Sequence, residues 1–320
     1  MSTSRATFVR TIAAVGAAIA AVPARPARAD DPVVRVGALP IDNGAEPFYG
    51  VDMGFFKKAG LDVQVTTFPS GGAAAAALVG GAIDIGITDA VSMASAHSRE
   101  VPISYIAAAT LHTLTSPAYA VLVGAGSTYK TGKDFEGKTV AVNGLKNILQ
   151  IPFMAWVENT GGDPSKIKFI EMPFASQAAA IDAGTIDAAS ISEPFITNAL
   201  ASGKCRAIPQ TANGLAPQFA FSGWTVQNDW AAKNPDLVKK FVAGMEETAK
   251  WANANRPLTA QILVKNSKMS PEIASKLMRV LYGEKLLASD FQPVYDAAAK
   301  YGVIPKSFPA AETFNPAAFK

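Results

Sequence analysis

A helix-to-strand turn written twice constrains this chain more than any other feature. The segment "ALVGGAIDIG" occupies residues 77–86, and "AIDAGTIDAA" occupies residues 180–189. Each places an alanine, an aliphatic residue and a glycine in order, with an Ile-Asp pair one residue after that glycine. Glycine stops a helix readily because it takes up the left-handed backbone without a steric penalty. Each copy therefore reads as a slim, Gly-capped helix returning into a central strand.

The flanks of the two copies match as well. In the first half, residues 33–39 (VVRVGAL) are a buried strand, 44–58 a helix with Phe48, Val51, Phe55 and Phe56 near one face, and 61–68 (LDVQVTTF) a second strand. A helix over 73–79, a strand over 83–87 and a helix over 90–98 follow. The same grammar restarts after Gly137, with strands at 138–142, 167–172 and 186–191 separated by helices at 152–158 and 176–183. Strands alternating with helices on short loops imply a parallel sheet covered on both faces. Two βαβαβ halves result, and residues 119–123 (YAVLV) and 219–226 (FAFSGWTV) remain as crossings between them. Beyond the second crossing the pattern turns helical. Asn234-Pro235 caps one helix carrying Leu237, Val238, Phe241, Val242 and Met245, and Ser270-Pro271 opens another with Ile273, Leu277 and Leu281. These helices are expected to pack back on the first lobe, which makes that lobe discontinuous.

The N-terminus reads as a secretory signal over residues 1–29. It has Arg5 and Arg10 without an acid, a small apolar stretch at 11–22, and "ARA" at 27–29 as a cleavage site. "SRATFVR" (4–10) is a weakened twin-arginine pattern, with Ala6 where a second arginine would stand. Cleavage after Ala29 removes four of the 29 basic residues and none of the 26 acids. The remainder is nearly neutral, which gives no argument for nucleic acid. Cys205 is the only cysteine, so an intramolecular disulfide is impossible; it stands at the start of a short strand as a buried bystander. No cysteine lies near the cleavage site to carry a lipid anchor, and no later apolar run reaches the length of a membrane span. An exported, unanchored chain points to the periplasm.

Four segments together resemble the NMT1/THI5-like and SsuA-like solute-binding proteins of ABC importers. They are "GFFKKAGLDVQV" (54–65), "ALVGGAIDIG" (77–86), "EGKTVAVNGLKNI" (136–148) and "IDAASISEPF" (186–195), and the likeness covers nearly the whole chain past the signal. The resemblance implies an α/β fold of the periplasmic-binding-protein type II kind, two doubly wound lobes joined by two crossing strands. Lobe 1 would comprise residues 30–118 and 227–320, and lobe 2 residues 119–226. It also implies capture of a small organic solute between the lobes: a sulfonate-, taurine- or nitrate-like anion, or a pyrimidine or aromatic compound. Delivery to a membrane permease and its ATPase would follow, by a monomer without a cofactor.

Ligands of open α/β sheets sit beyond the carboxyl ends of the strands. That rule directs attention to the loops at 39–48, 68–72, 88–90, 143–147 and 190–194. Backbone N–H groups at 70–72 and 143–147 suit an anionic or carbonyl oxygen. The candidate ligand-binding residues are Asp42, Glu46, Phe48, Ser70, Gly71, Asp89, Asn143, Lys146, Phe174, Ser192, Glu193 and Trp224. Each has a plainer reading: Ser70, Gly71 and Asp89 as helix caps, Glu193 as a first-turn acid, Lys146 as a solvated loop residue, Phe48 and Phe174 as core, Trp224 as hinge filling. With all four acids Asp42, Glu46, Asp89 and Glu193 directed inward, a ligand with N–H donors or an aromatic ring would suit better than a bare sulfonate or nitrate.

Two other classes compete. THI5-like proteins include a pyrimidine-synthesising enzyme, but that family carries a cysteine-rich motif, and this chain has one cysteine and two histidines, His97 and His112, expected at surface or hinge positions. No G-x-S-x-G, H-E-x-x-H, G-x-G-x-x-G or P-loop occurs, and the histidine and cysteine supply makes a zinc site improbable. A ligand-sensing receptor on the same fold is the third reading.

Overall fold

The computed structural model describes residues 31–69, 71–267 and 269–319. The expected signal at 1–29 and the candidate Ser70 lie outside the described residues. The chain begins with β1 (Val33–Ala38), α1 (Glu46–Asp52), α2 (Phe55–Lys58), β2 (Asp62–Thr67), α3 (Gly71–Val79), β3 (Ile85–Asp89), α4 (Ala90–Ser98), β4 (Ile103–Ala108) and β5 (Thr110–Thr113). The middle of the chain supplies β6 (Ala120–Gly124), β7 (Thr139–Val142), α5 (Ile151–Asn159), β8 (Lys168–Glu171), α6 (Phe174–Asp182), β9 (Ala188–Ile191), α7 (Phe195–Ala201) and β10 (Cys205–Ile208). There follow β11 (Gln218–Ala220), β12 (Ser222–Gln227), α8 (Asn228–Lys233), α9 (Pro235–Ala254), α10 (Arg256–Asn266), α11 (Pro271–Lys276), β13 (Leu281–Tyr282) and α12 (Ala288–Lys300). The helix expected over 44–58 is broken into α1 and α2, because Gly54 takes a left-handed φ of 73° between them.

Two five-stranded sheets repeat one topology, β2-β1-β3-β12-β4 and β8-β7-β9-β6-β10. In each, the first three strands are parallel and the fourth is antiparallel. The fourth strand always comes from the segment that has just crossed over from the other half. The repeated turn explains itself here. Helix α3 ends with Ala82 N–H donating to Ala77 O and Gly81 N–H to Leu78 O. Helix α6 ends with the equivalent pair, Thr185 to Ala180 and Gly184 to Ile181. Both are six-to-one and five-to-two closures around a left-handed glycine, at φ 73° for Gly81 and 68° for Gly184. The repeated aspartate then fastens the turn to the neighbouring parallel strand, β1 in one sheet and β7 in the other. Asp84 accepts from Arg35 N–H at 2.8 Å, and Asp187 accepts from Thr139 N–H at 2.8 Å. The Ile-Asp pair is thus a clamp at the floor of each sheet, far from the carboxyl ends where a ligand would sit.

The second crossing differs from its sequence reading. Residues 219–226 look like one apolar run, but the strand changes partners at Phe221. Its N–H donates to Thr110 O, and its carbonyl accepts from Ala90 N–H. Strand β11 therefore joins β5 and β13 in a separate three-stranded sheet, while β12 lies wholly in the first sheet, between β3 and β4. Residues 222–226, expected in the second lobe, pair with β3 and β4 in the first sheet. The C-terminal helices do pack on the first half: α9 lies against α1 and α2, with Phe241 stacked on Phe56 at 5.4 Å. Helix α12 instead touches both halves, against α4 and α5. Among the described residues, no helix is long and apolar enough to cross a membrane.

Candidate functional site

A cavity of about 880 Å³ opens where the carboxyl ends of the two parallel strand sets face each other. The first half contributes Ile41 and Asn43 after β1, Phe68 and Gly71 after β2, and Asp89 at the end of β3. The second contributes Asn143, Asn147 and Ile148 after β7, Glu171 and Phe174 around the end of β8, and Ser192, Pro194 and Phe195 after β9. Phe221 and Ser222 close it at the crossing, with Met269 from the α10–α11 turn and Ile273 from α11. The volume suits an organic molecule of several rings or fewer.

Polar contacts bridge this gap. Asp89 caps α4, accepting from Val91 and Ser92 N–H at 3.1 and 3.0 Å, and its Oδ1 also accepts from Ile148 N–H at 3.2 Å across the cavity. Burial pushes its carboxyl above the usual aspartate range, against the pull of those donors. Asn43 donates from Nδ2 to Ala118 O at 3.1 Å and Ser192 Oγ at 3.2 Å, again from one half to the other. Four phenyl rings line the walls, from Phe68, Phe174, Phe195 and Phe221, with Phe174 and Phe195 at 5.3 Å between centroids.

Of the sequence candidates, Gly71, Asp89, Asn143, Phe174 and Ser192 meet at this cavity. Asp42, Glu46, Phe48, Lys146, Glu193 and Trp224 do not line it. Asp42 is fully buried and ion-paired with Arg279 at 2.7 Å; its Oδ2 accepts from Val280 N–H and its carbonyl from Tyr282 Oη. Glu46 lies inside the first half, accepting from Trp224 Nε1 at 3.0 Å, and Trp224 is itself fully buried beneath the sheet. Burial pushes the Glu46 carboxyl up to about 8 despite that bond, so it holds a proton at neutral pH. Phe48 is core. Lys146 is exposed on a left-handed turn, and its N–H donates to Gln150 Oε1. Glu193 points away from the cavity, accepting from Thr197 N–H and Oγ1 and from Met278 N–H at 3.0 Å.

Of the four loop acids, only Asp89 faces the cavity. The first loop coils into a short helical turn at Asp42–Gly44 and then into α1, which turns Asp42 and Glu46 inward to core partners. Asn43 and Phe68 stand in the same loops and do line the wall. Met269 and Ile273 carried no signal, since nothing in the strand–helix alternation brings a C-terminal turn to the cleft. The histidines are structural. His112 is buried in β5, stacked on Phe219 at 4.6 Å, with its pKa lowered by burial to about 4. His97 faces Glu312 at 3.4 Å on the far side. Among the described residues, no group of three or more His, Cys, Asp or Glu could hold a metal ion.

Two α/β sheets thus face each other across a solute-sized cleft at their strand ends. The NMT1/THI5-like family model matches residues 43–259. The taurine-binding periplasmic protein of Escherichia coli K12 is 27% identical over 231 residues, 72% of this chain and 67% of that protein. The crystal structure of the periplasmic aliphatic sulphonate-binding protein SsuA of Escherichia coli matches with a TM-score of 0.72 at 19% identity, covering 88% of this chain and 91% of that one. The periplasmic nitrate-binding protein NrtA of Synechocystis matches at 0.70 and 16% identity, over 89% and 86%. The chain belongs to the NMT1/THI5-like family. These relatives are named as binding proteins for taurine, aliphatic sulphonate and nitrate.

Proposed function

We propose that this protein is the periplasmic solute-binding component of an ABC importer, a monomer that holds a small organic solute in the cleft and hands it to a permease–ATPase complex. The observation that carries the reading is the cavity of about 880 Å³ walled by the carboxyl-end loops of both sheets. Contacts such as Ile148 N–H to Asp89 and Asn43 to Ser192 exist only while the halves are together. A solute touching both walls therefore shifts the open–closed equilibrium toward closure. The lobes proposed to move run from 31 to 119 with the C-terminal region, and from 120 to 220. The solutes named for the relatives, taurine, sulfonates and nitrate, head the compounds to try.

The test is a thermal-shift screen of taurine, alkanesulfonates, nitrate, aromatic acids, pyrimidines and amines, followed by calorimetry. A specific binder at a hundred times its Kd is expected to stabilise the fold by about 2.7 kcal/mol. Phe174→Ala and Phe195→Ala should each weaken that binder at least tenfold. Stabilisation that survives both substitutions unchanged would place the ligand elsewhere.

A further inference from the structure

The cleft holds an unusual balance of donors and acceptors. Backbone N–H groups at α4, in the β7–α5 turn and at α7, the ordinary means of holding an oxyanion, are engaged within the protein. At α4, Ala90 N–H donates to Phe221 O, and Val91 and Ser92 N–H donate to Asp89. In the β7–α5 turn, Lys146, Ile148 and Leu149 N–H donate to the side chains of Gln150, Asp89 and Asn147. At α7, Phe195 N–H donates to Ser192 O and Thr197 N–H to Glu193.

One buried acceptor at the cavity has no partner among the described residues. Asn43 is 5% exposed and donates its amide nitrogen to a carbonyl, which fixes the amide orientation and leaves Oδ1 buried without a partner among the described residues. A buried acceptor left unpaired costs on the order of 1–3 kcal/mol, so a donor brought by a solute is rewarded. The ionisable side chains of the described lining are two carboxylates, Asp89 at the wall and Glu171 at the exposed rim. The four phenyl rings complete the walls, and aromatic faces attract cations.

We infer that the cleft selects an organic cation, a protonated amine or nitrogen heterocycle on an aromatic or aliphatic body, over a sulfonate or nitrate. The inference rests on the solute-binding reading above and names its ligand class. The N–H donors of the solute meet Asn43 Oδ1 and the Asp89 carboxylate, and its apolar body lies among Phe68, Phe174, Phe195 and Phe221.

The experiment compares head groups on matched bodies by calorimetry: ammonium, hydroxyl and sulfonate on phenylethyl, indolylethyl and hexyl skeletons, with taurine and nitrate alongside. In at least one series the ammonium compound should bind tenfold or more tighter than its alcohol, and the sulfonate weaker still. Asp89→Asn, which keeps a helix-capping side chain, should cost the ammonium compound at least tenfold and leave the alcohol unchanged. Glu171→Gln at the rim should act in the same direction by a smaller factor. Sulfonates binding tighter than their amines would overturn the inference while leaving a solute-binding protein, as would an equal loss for all head groups in Asp89→Asn. Should Asp89→Asn not fold, the head-group order in the unaltered protein decides alone. Silence from every compound would overturn both this inference and the solute-binding reading.

Discussion

Individual carboxylates in this protein do structural work that their position in the sequence disguises. Asp84 takes three donors from Arg35, the backbone N–H at 2.8 Å and the guanidinium Nε and Nη2 at 3.0 and 2.6 Å. Asp187 takes Thr139 N–H and Tyr129 Oη, in a more exposed setting. Removing a buried acceptor strands its donors, so Asp84→Ala should cost about 2–3 kcal/mol and Asp187→Ala about 1 kcal/mol in urea unfolding, neither touching ligand affinity. Glu46 gives a pH signature. Its folded pKa of about 8 lies above the ordinary 4.5, so the folded state binds the proton more tightly than the unfolded chain. Its contribution is complete below about pH 4.5 and is lost as pH rises through 8. Stability should fall on the order of 3–4 kcal/mol between pH 5 and 9 from this group, and Glu46→Gln should flatten that slope. An unchanged slope in the variant would show that Glu46 is not the group responsible.

Among the elements, the segment joining α11 to β13 ties the halves together. Met278 N–H reaches Glu193 beside α7, while Arg279 and Val280 meet Asp42 beside α1. Glu193→Ala leaves Thr197 and Met278 N–H without their acceptor and should cost about 2 kcal/mol. Because Ser192 and Pro194 flank Glu193 and line the cavity, the same substitution should also weaken ligand binding, read by calorimetry at a temperature where the variant is folded. The strands and slim helices were legible in the sequence because their apolar patterning is local: 33–39, 138–142 and 186–191 all lie on or across strands of the two sheets. The carboxyl-end loops were legible for the same reason. What could not be read was the direction of a side chain within a loop, which for Asp42 and Glu46 depends on Arg279 and Trp224 more than a hundred positions away. The break at Phe221 was equally hidden, since both flanking strands are apolar and only the change of partner separates them.

At the scale of the whole molecule, the two halves are held in contact around the cleft. Tyr301 Oη and Lys300 Nζ after and at the end of α12 both reach Glu158 of α5 at 2.6 Å, and Ile148 meets Asp89 at the cavity. The pairs to Glu158 are exposed and individually weak, so a solute that adds contacts to both walls can govern whether the halves stay together. The most direct measurement is small-angle scattering on the protein alone and with a solute found in the screen. A smaller radius of gyration with solute, abolished along with binding in Phe174→Ala, is the predicted result. A particle whose dimensions stay the same when the solute is demonstrably bound would contradict closure of the two lobes over their ligand.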